Sequence, residues 1–271
     1  MNTADWKISY EKIIGITVGH ILLLAMPFFF EWDAFFVFLF LYWLTLGIGI
    51  TLGYHRILSH RSLVVPKWLE YVIVTCGALS LQGGPIEWIG THRLHHQHSD
   101  RDGDPHNSRQ GFWWSHILWL YGRIPSEEAI RKRTKDLNGD PYYEFLHKGG
   151  FMLMQILLGV TLFLLGGWPY VLFGVFLRIV VVFHATWLVN SATHRYGYRT
   201  YDTRDHSTNC WWVALLSFGE GWHNNHHAKS ASARHGLHWY EVDITWITIW
   251  LLKKVGLAWR VRVASFPEKQ D

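Results

Sequence analysis

Hydrophobic positions along this chain gather into four long runs, at about 13–30, 34–54, 150–165 and 168–190. None of them alternates or carries a polar stripe of helical period, so each reads as a helix apolar all round. At 1.5 Å rise per residue, runs of about 18–22 residues cover roughly 27–33 Å, which matches a bilayer's hydrocarbon core. The third run is the shortest. Polar breaks between the runs are tiny: Glu31-Trp32-Asp33 in one pair, and Gly166-Gly167 ahead of Trp168-Pro169 in the other. The pattern therefore predicts an all-α membrane protein with four transmembrane helices in two hairpins. Two further apolar segments, 72–89 and 244–259, are expected to be interfacial or partly buried helices. The first is interrupted by Gln82-Gly83-Gly84-Pro85 and contains Glu87; the second is amphipathic and ends in Lys253, Lys254 and Arg260.

Charge orients this arrangement. Between 13 and 55 and between 149 and 190 the only Lys or Arg is Arg178. The remaining basic residues fall in 1–12, 55–149 and 191–271, which the positive-inside rule makes cytoplasmic, with both hairpin tips on the far side. The middle and last of these segments form a helical cap, and 1–271 reads as a single domain. Of the 271 residues, 17% are charged, below the roughly 25% of a soluble domain, which agrees with a membrane protein. The net charge of +4 is scattered through loops without stacking aromatics, so a nucleic-acid surface is excluded. The opening MNTADWKISYEK is too acidic and too long for a signal-peptide n-region. Cys76 and Cys210 lie in no CxxC; neither a disulfide framework nor a thiolate zinc site follows, and a reducing compartment is expected.

Histidine changes the picture most, with 18 in the chain. His92, His95 and His96 stand at i, i+3 and i+4, one face of a helix, and His223, His226 and His227 repeat the spacing. His55 and His60 follow the second run; His194 follows the fourth, with Asn190 one turn earlier. All lie on the cytoplasmic side, so they can meet. Neutral imidazole binds iron, copper, nickel or zinc, and so many imidazoles imply two metals rather than one. His20, His116, His147 and His184 read as ordinary core or surface residues. There is no HExxH of a zinc protease. Nor do the Glu-x-x-His helices of ferritin-like sites carry this grouping, and Glu220 is expected to orient an imidazole rather than to bind metal. Gly47-Ile48-Gly49 lies in an apolar run with the wrong spacing for a nucleotide loop.

The strings HRILSH, THRLHHQHSD, DPHNSRQGFWWSH, HATWLVNSATHRYGYRTYD and FGEGWHNNHH resemble the delta-9 fatty-acyl desaturase family over about 40–265. The likeness is particularly to cyanobacterial-type acyl-lipid desaturases, in which GEGWHNNHH and a C-terminal SARHG are typical. That resemblance implies a centre of two Fe(II) ions, working with O₂ to remove two hydrogens from an acyl chain. The implied iron ligands are His55, His60, His92, His95, His96, His194, His223, His226 and His227, with Asn190 acting through water. It also implies a bent acyl tunnel walled by Gln82, Trp88, Thr186 and Trp187. Trp43 and Gly47 stand one turn apart near where such a tunnel closes; Trp43 is expected to limit chain length while Gly47 leaves room beside it.

Other expectations follow. Arg178, inside a span, needs a partner or a polar cavity, because a charge there costs roughly 2.5–3.5 kcal/mol on insertion. Arg93, Arg131 and Lys132 are candidates for a lipid head group, and His98 stands outside the ligand pattern. No flavin, nicotinamide or haem signature is present, so electrons must come from reduced ferredoxin or, alternatively, a cytochrome. The substrate is expected to be a membrane lipid rather than an acyl thioester, in a thylakoid or plasma membrane of a cyanobacterium-like cell. A hydroxylase or ketolase with the same metals is disfavoured by NSATHRYGYRTYD and GFWWSH. A metal transporter is disfavoured because transporter ligands sit at mid-membrane.

Overall fold

The computed structural model describes residues 9–122 and 124–265. Parts of the expected cytoplasmic regions, namely 1–8, Arg123 and 266–271, lie outside the described residues. Among the described residues there are no strands, only isolated bridges, so the all-α expectation holds. Three helices are long and apolar enough to cross a membrane: α1 (Tyr10–Phe28), α2 (Trp32–Ser59) and Pro141–His194. The last is broken at Gly166 (φ −152°, ψ 17°) and Gly167 (φ 64°, ψ −152°), which separates α6 (151–165) from α7 (168–191). A left-handed φ at Gly167 suits a residue without Cβ and turns the chain back on itself. The Tyr170 hydroxyl, just after that turn, donates to Asp33 Oδ2 at 3.2 Å, so the two short turns lie together. α1 exposes Ile14, Leu24 and Phe28 and buries nothing, as a helix whose solvent is lipid does. The molecule is a membrane protein.

Helix ends differ from the apolar runs. α1 stops at Phe28 rather than residue 30, one residue after Pro27, where its last turns have tightened to 3₁₀ winding. α2 continues five residues past position 54, through His55, Arg56 and Ser59. These polar residues are buried under the cap, so hydropathy underestimates the helix. From Trp43 onward α2 winds in wide i→i+5 turns, a form found where function distorts a helix. Segment 72–89 is not one helix. It comprises the end of α3 (Lys67–Ala78) and the start of α4 (Pro85–His98), divided where Gly83 takes φ 100°. The helices outside the three long ones also include α5 (Glu127–Arg133), α8 (Trp211–Leu216), α9 (His223–Ala228) and α10 (Ile244–Lys254), with shorter turns between.

α3 lies directly on α2. A Cβ on Gly49 would stand 2.3 Å from the Gly77 nitrogen and 2.4 Å from the Cys76 carbonyl carbon, so the two backbones touch. Gly49→Ala must push α3 away and is expected to cost about 3 kcal/mol, the upper end of overpacking penalties. A matching fall in the unfolding temperature of the detergent-solubilised protein checks this. An unchanged temperature would mean that the contact is not close.

Arg178 has the partners its position demands. Nε donates to Gly174 O at 2.8 Å, Nη2 to Gln155 Oε1 at 2.7 Å, and Nη1 bonds Leu79 O. The guanidinium ties α7 to α6 and to the end of α3 with no carboxylate involved.

Candidate metal centre

Three helix ends and one turn deliver the imidazoles. His55 and His60 come from the end of α2, His92, His95 and His96 from α4, His194 from the turn after α7, and His223, His226 and His227 from α9. They fall into two groups, within each of which the candidate ligand atoms lie within 4.8 Å of one another. One contains His55, His60, His92, His96 and His226; the other contains His95, His194, His223 and His227. All nine sequence candidates are thus brought together. Each helical triplet is split between the groups: His92 and His96 go one way and His95 the other, and His226 parts from His223 and His227.

Ring orientation explains what these groups suit. His55 Nδ1 lies 2.6 Å from Glu220, His95 Nδ1 3.0 Å from Asp104, His194 Nδ1 2.9 Å from Asp100 and His227 Nδ1 2.6 Å from Asp205. An imidazole donating Nδ1–H to a carboxylate presents a lone pair at Nε2. Yet Nε2 of His55 faces that of His226 at 3.1 Å, and His194 faces His223 at 3.1 Å. His60 and His92 approach to 2.9 Å in the same way. Such pairs are joined either by one ring's N–H or by a metal ion that both Nε2 atoms ligate, and carboxylate–histidine pairs are how proteins orient metal ligands.

Electrostatics agrees. Burial, reinforced by neighbouring imidazoles, pushes His92, His96, His223 and His226 well below the usual histidine range, which keeps them neutral as ligands must be. His95 differs from these four: burial opposes its charge, but the carboxylates of Asp104, Asp100 and Asp205 together raise it. Burial also raises each supporting carboxyl, yet their partners win. His95 leaves Asp104 at about 2, and His194 and His227 hold Asp100 and Asp205 lower still.

Glu220 was legible in the sequence; Asp100, Asp104 and Asp205 were not singled out. Asp100 and Asp104 follow closely on the α4 triplet, a signal that was available. Asp205 is far from its partner in the chain and carried none.

A cavity of about 600 Å³ lies against the first group and reaches His92. Gln82, Trp88, Thr186, Trp187 and Asn190 all line it, so the structure gathers the four expected tunnel residues and Asn190 around one cavity. Trp88 Nε1 donates to Gln82 Oε1 at 3.0 Å, Gln82 Nε2 donates to Thr186 Oγ1 at 2.8 Å, and the Trp88 indole stacks on His92. Trp43 and Gly47 do not line this cavity. The space a Gly47 Cβ would take is bounded by Trp43 Cδ1 at 3.2 Å and the Phe218 ring at 3.4 Å, so the pair packs against the cap instead.

The basic candidates are mostly engaged within the protein. Arg93 bonds Asp136 and the carbonyls of Leu58, Ser59 and Arg133; Arg131 bonds Glu127 and Glu144. Lys132 is exposed. His98 packs over Gly103 outside both groups. His20, His184 and His116 are not isolated: they form a hydrogen-bonded chain that ends on Ser191, while His147 bonds Glu127.

The fatty acid desaturase family model matches residues 30–262. The chain belongs to the fatty acid desaturase family. It is 60% identical over 252 residues to the sn-1 stearoyl-lipid 9-desaturase of Anabaena variabilis, covering 93% of this chain and 92% of that one. Identity is 49% over 266 residues to the sn-2 palmitoyl-lipid 9-desaturase of a Nostoc strain, covering 97% of this chain and 93% of that one. The chloroplastic palmitoyl-monogalactosyldiacylglycerol delta-7 desaturase of Arabidopsis thaliana is 45% identical over 269 residues, 98% of this chain and 72% of its own length. As a desaturase, the chain is an oxidoreductase.

Proposed function

We propose that this desaturase introduces a cis double bond at position 9 of a saturated acyl chain carried on a membrane glycerolipid. Two iron ions would be held by the nine imidazoles, and Asn190 would act through water. The observation that carries this reading is two adjoining imidazole groups, one of which reaches, through His92, a cavity roomy enough for an acyl chain. Bound there, iron supplies the activation of O₂ and the oxidising power that removes two hydrogens. The rest belongs to this chain's own residues. Methylenes along an acyl chain are chemically alike, so only position selects one pair. Trp88 stacks on a candidate ligand and is braced by Gln82 and Thr186, which makes it a fixed stop beside His92.

Lipid as the carrier is supported by the names of the relatives from Anabaena and Nostoc. Two electrons per turnover come from a separate carrier, reduced ferredoxin or, as the alternative, a cytochrome. The four apolar arms α1, α2, α6 and α7 are read as spans in two hairpins, with the cap and the metals on the cytoplasmic side. Hydroxylase, ketolase and transporter readings are not favoured by this family membership.

Expression in a host without desaturases, with ferredoxin supplied, tests the reading. Mass-spectrometric location of double bonds is expected to find O₂-dependent Δ9 unsaturation in intact glycerolipids. Unsaturation confined to acyl-CoA would overturn the carrier, and none in any lipid class would overturn the function.

A further inference from the structure

The two imidazole groups are not supported alike. In the group of four, His95, His194 and His227 each have a carboxylate at Nδ1. Among the described residues, His55 is the only member of the group of five with one, and that one is Glu220. Glu220 in turn touches a buried polar cluster that lies outside the nine candidate ligands and outside the cavity lining.

Arg56, next to His55 in sequence and fully buried, is its centre. Its Nη2 donates to Glu220 Oε1 at 3.2 Å and to Asp243 Oδ1 at 3.0 Å, while Nη1 donates to Asp243 Oδ2 at 3.1 Å and to Ala233 O at 2.8 Å. Asp243 also accepts from the His235 backbone at 2.8 Å and, as the N-cap of α10, from Trp246 N at 2.9 Å. The His235 ring lies over His226 with centroids 4.4 Å apart, its Nδ1 3.3 Å from Arg56 Nη2. Gly219, at φ 117°, lets these groups close up: a Cβ there would stand 2.4 Å from Asp243 Oδ1 and 3.2 Å from Arg56 Nη2.

A carboxylate at Nδ1 fixes an imidazole's rotation and strengthens its Nε2 as a donor. Glu220 can do this only while ionised and aimed at His55, and a lone buried carboxylate would do neither. Arg56 supplies the compensating charge. Asp243, gripping the guanidinium with both oxygens, holds its plane so that one edge is left for Glu220.

We propose that Arg56 and Asp243 are positioning residues for one of the two metals. Through Glu220 they set His55, and through His235 they back His226, so the five-imidazole site depends on them and the four-imidazole site does not. Because Asp243 also starts α10, whose outer face exposes Ile247, Trp250 and Leu251, that site is tied to a helix with an apolar surface of its own. The inference rests on the two-metal reading above.

Cobalt(II) tests it without turnover. The purified full-length protein, stripped by chelation and shown monodisperse, is titrated with Co²⁺ and followed by its ligand-field absorption. Wild type is expected to bind two ions. Asp243→Asn, which keeps a good N-cap acceptor, and Arg56→Lys, which keeps the charge, should bind one ion normally and the other about 10–100-fold more weakly. Two backgrounds locate the loss. With the five-imidazole site disabled by His226→Ala, adding Asp243→Asn should leave the remaining ion unaffected. With the four-imidazole site disabled by His223→Ala, it should weaken the remaining ion. Equal weakening in both backgrounds, or none in either, overturns the proposal. A wild type that binds fewer than two ions overturns the two-metal reading instead.

Discussion

His226→Ala is expected to abolish desaturation and to lower the metal content of the purified protein from two ions per chain to about one. His226 Nε2 is 3.1 Å from that of His55 and 3.0 Å from that of His96, so it is central to its group rather than peripheral. Loss of an outer partner of a metal ligand costs roughly 10–100-fold, and loss of the ligand itself must exceed that. The protein should still fold. The side chain is buried, but its neighbours are other polar rings, and an alanine there also relieves their crowding in the metal-free state. Metal analysis with lipid profiling checks the result. A folded variant with two tightly bound ions and normal unsaturation would remove His226 from the ligand set.

Trp88→Ala should have the second largest effect, of a different kind. The indole spans the gap between the ring of His92 and the amide of Gln82, and its removal deletes part of the cavity wall where reaction would occur. Misplacing a reacting group by about 1 Å can cost about 10²-fold in rate. Turnover is expected to fall by about that factor while metal content stays at two ions, and residual product should carry double bonds at more than one position. Gas chromatography with mass spectrometry of derivatised chains reads both. Thr186→Val, which removes only the hydroxyl accepting from Gln82, should broaden the positions with a smaller loss of rate. A single, unshifted double bond in Trp88→Ala would show that the wall does not choose the position.

Much of this molecule was legible in its sequence because its two strongest signals are local. Runs of apolar residues mark helices in lipid whatever they pack against, and imidazoles at i, i+3 and i+4 declare a shared face. What hydropathy could not mark was the last turn of α2, where His55 and Arg56 are polar yet buried by a cap distant in sequence. Distance along the chain also hid Asp205, the Arg56–Asp243 contact and the His20–His184–His116 chain, which join elements far apart in sequence. Trp43 and Gly47 show the same limit. Their one-turn spacing predicts that they share a face, correctly, but spacing cannot say which face turns toward the cavity and which toward Phe218.

The split triplets carry a consequence for the robustness of the centre. α4 sends His92 and His96 to one site and His95 to the other, and α9 divides its histidines likewise. The offset between the sites is therefore written into the pitch of two single helices, each a ruler graduated in residues. Breathing of the bundle, a change of lipid or a tilt of a span can move α4 or α9 bodily, yet cannot change the spacing along either. Insertion or deletion of one residue inside either triplet, by contrast, would swing the histidines beyond it about 100° around the helix from those before it, and so break up a site as well as the offset between the two.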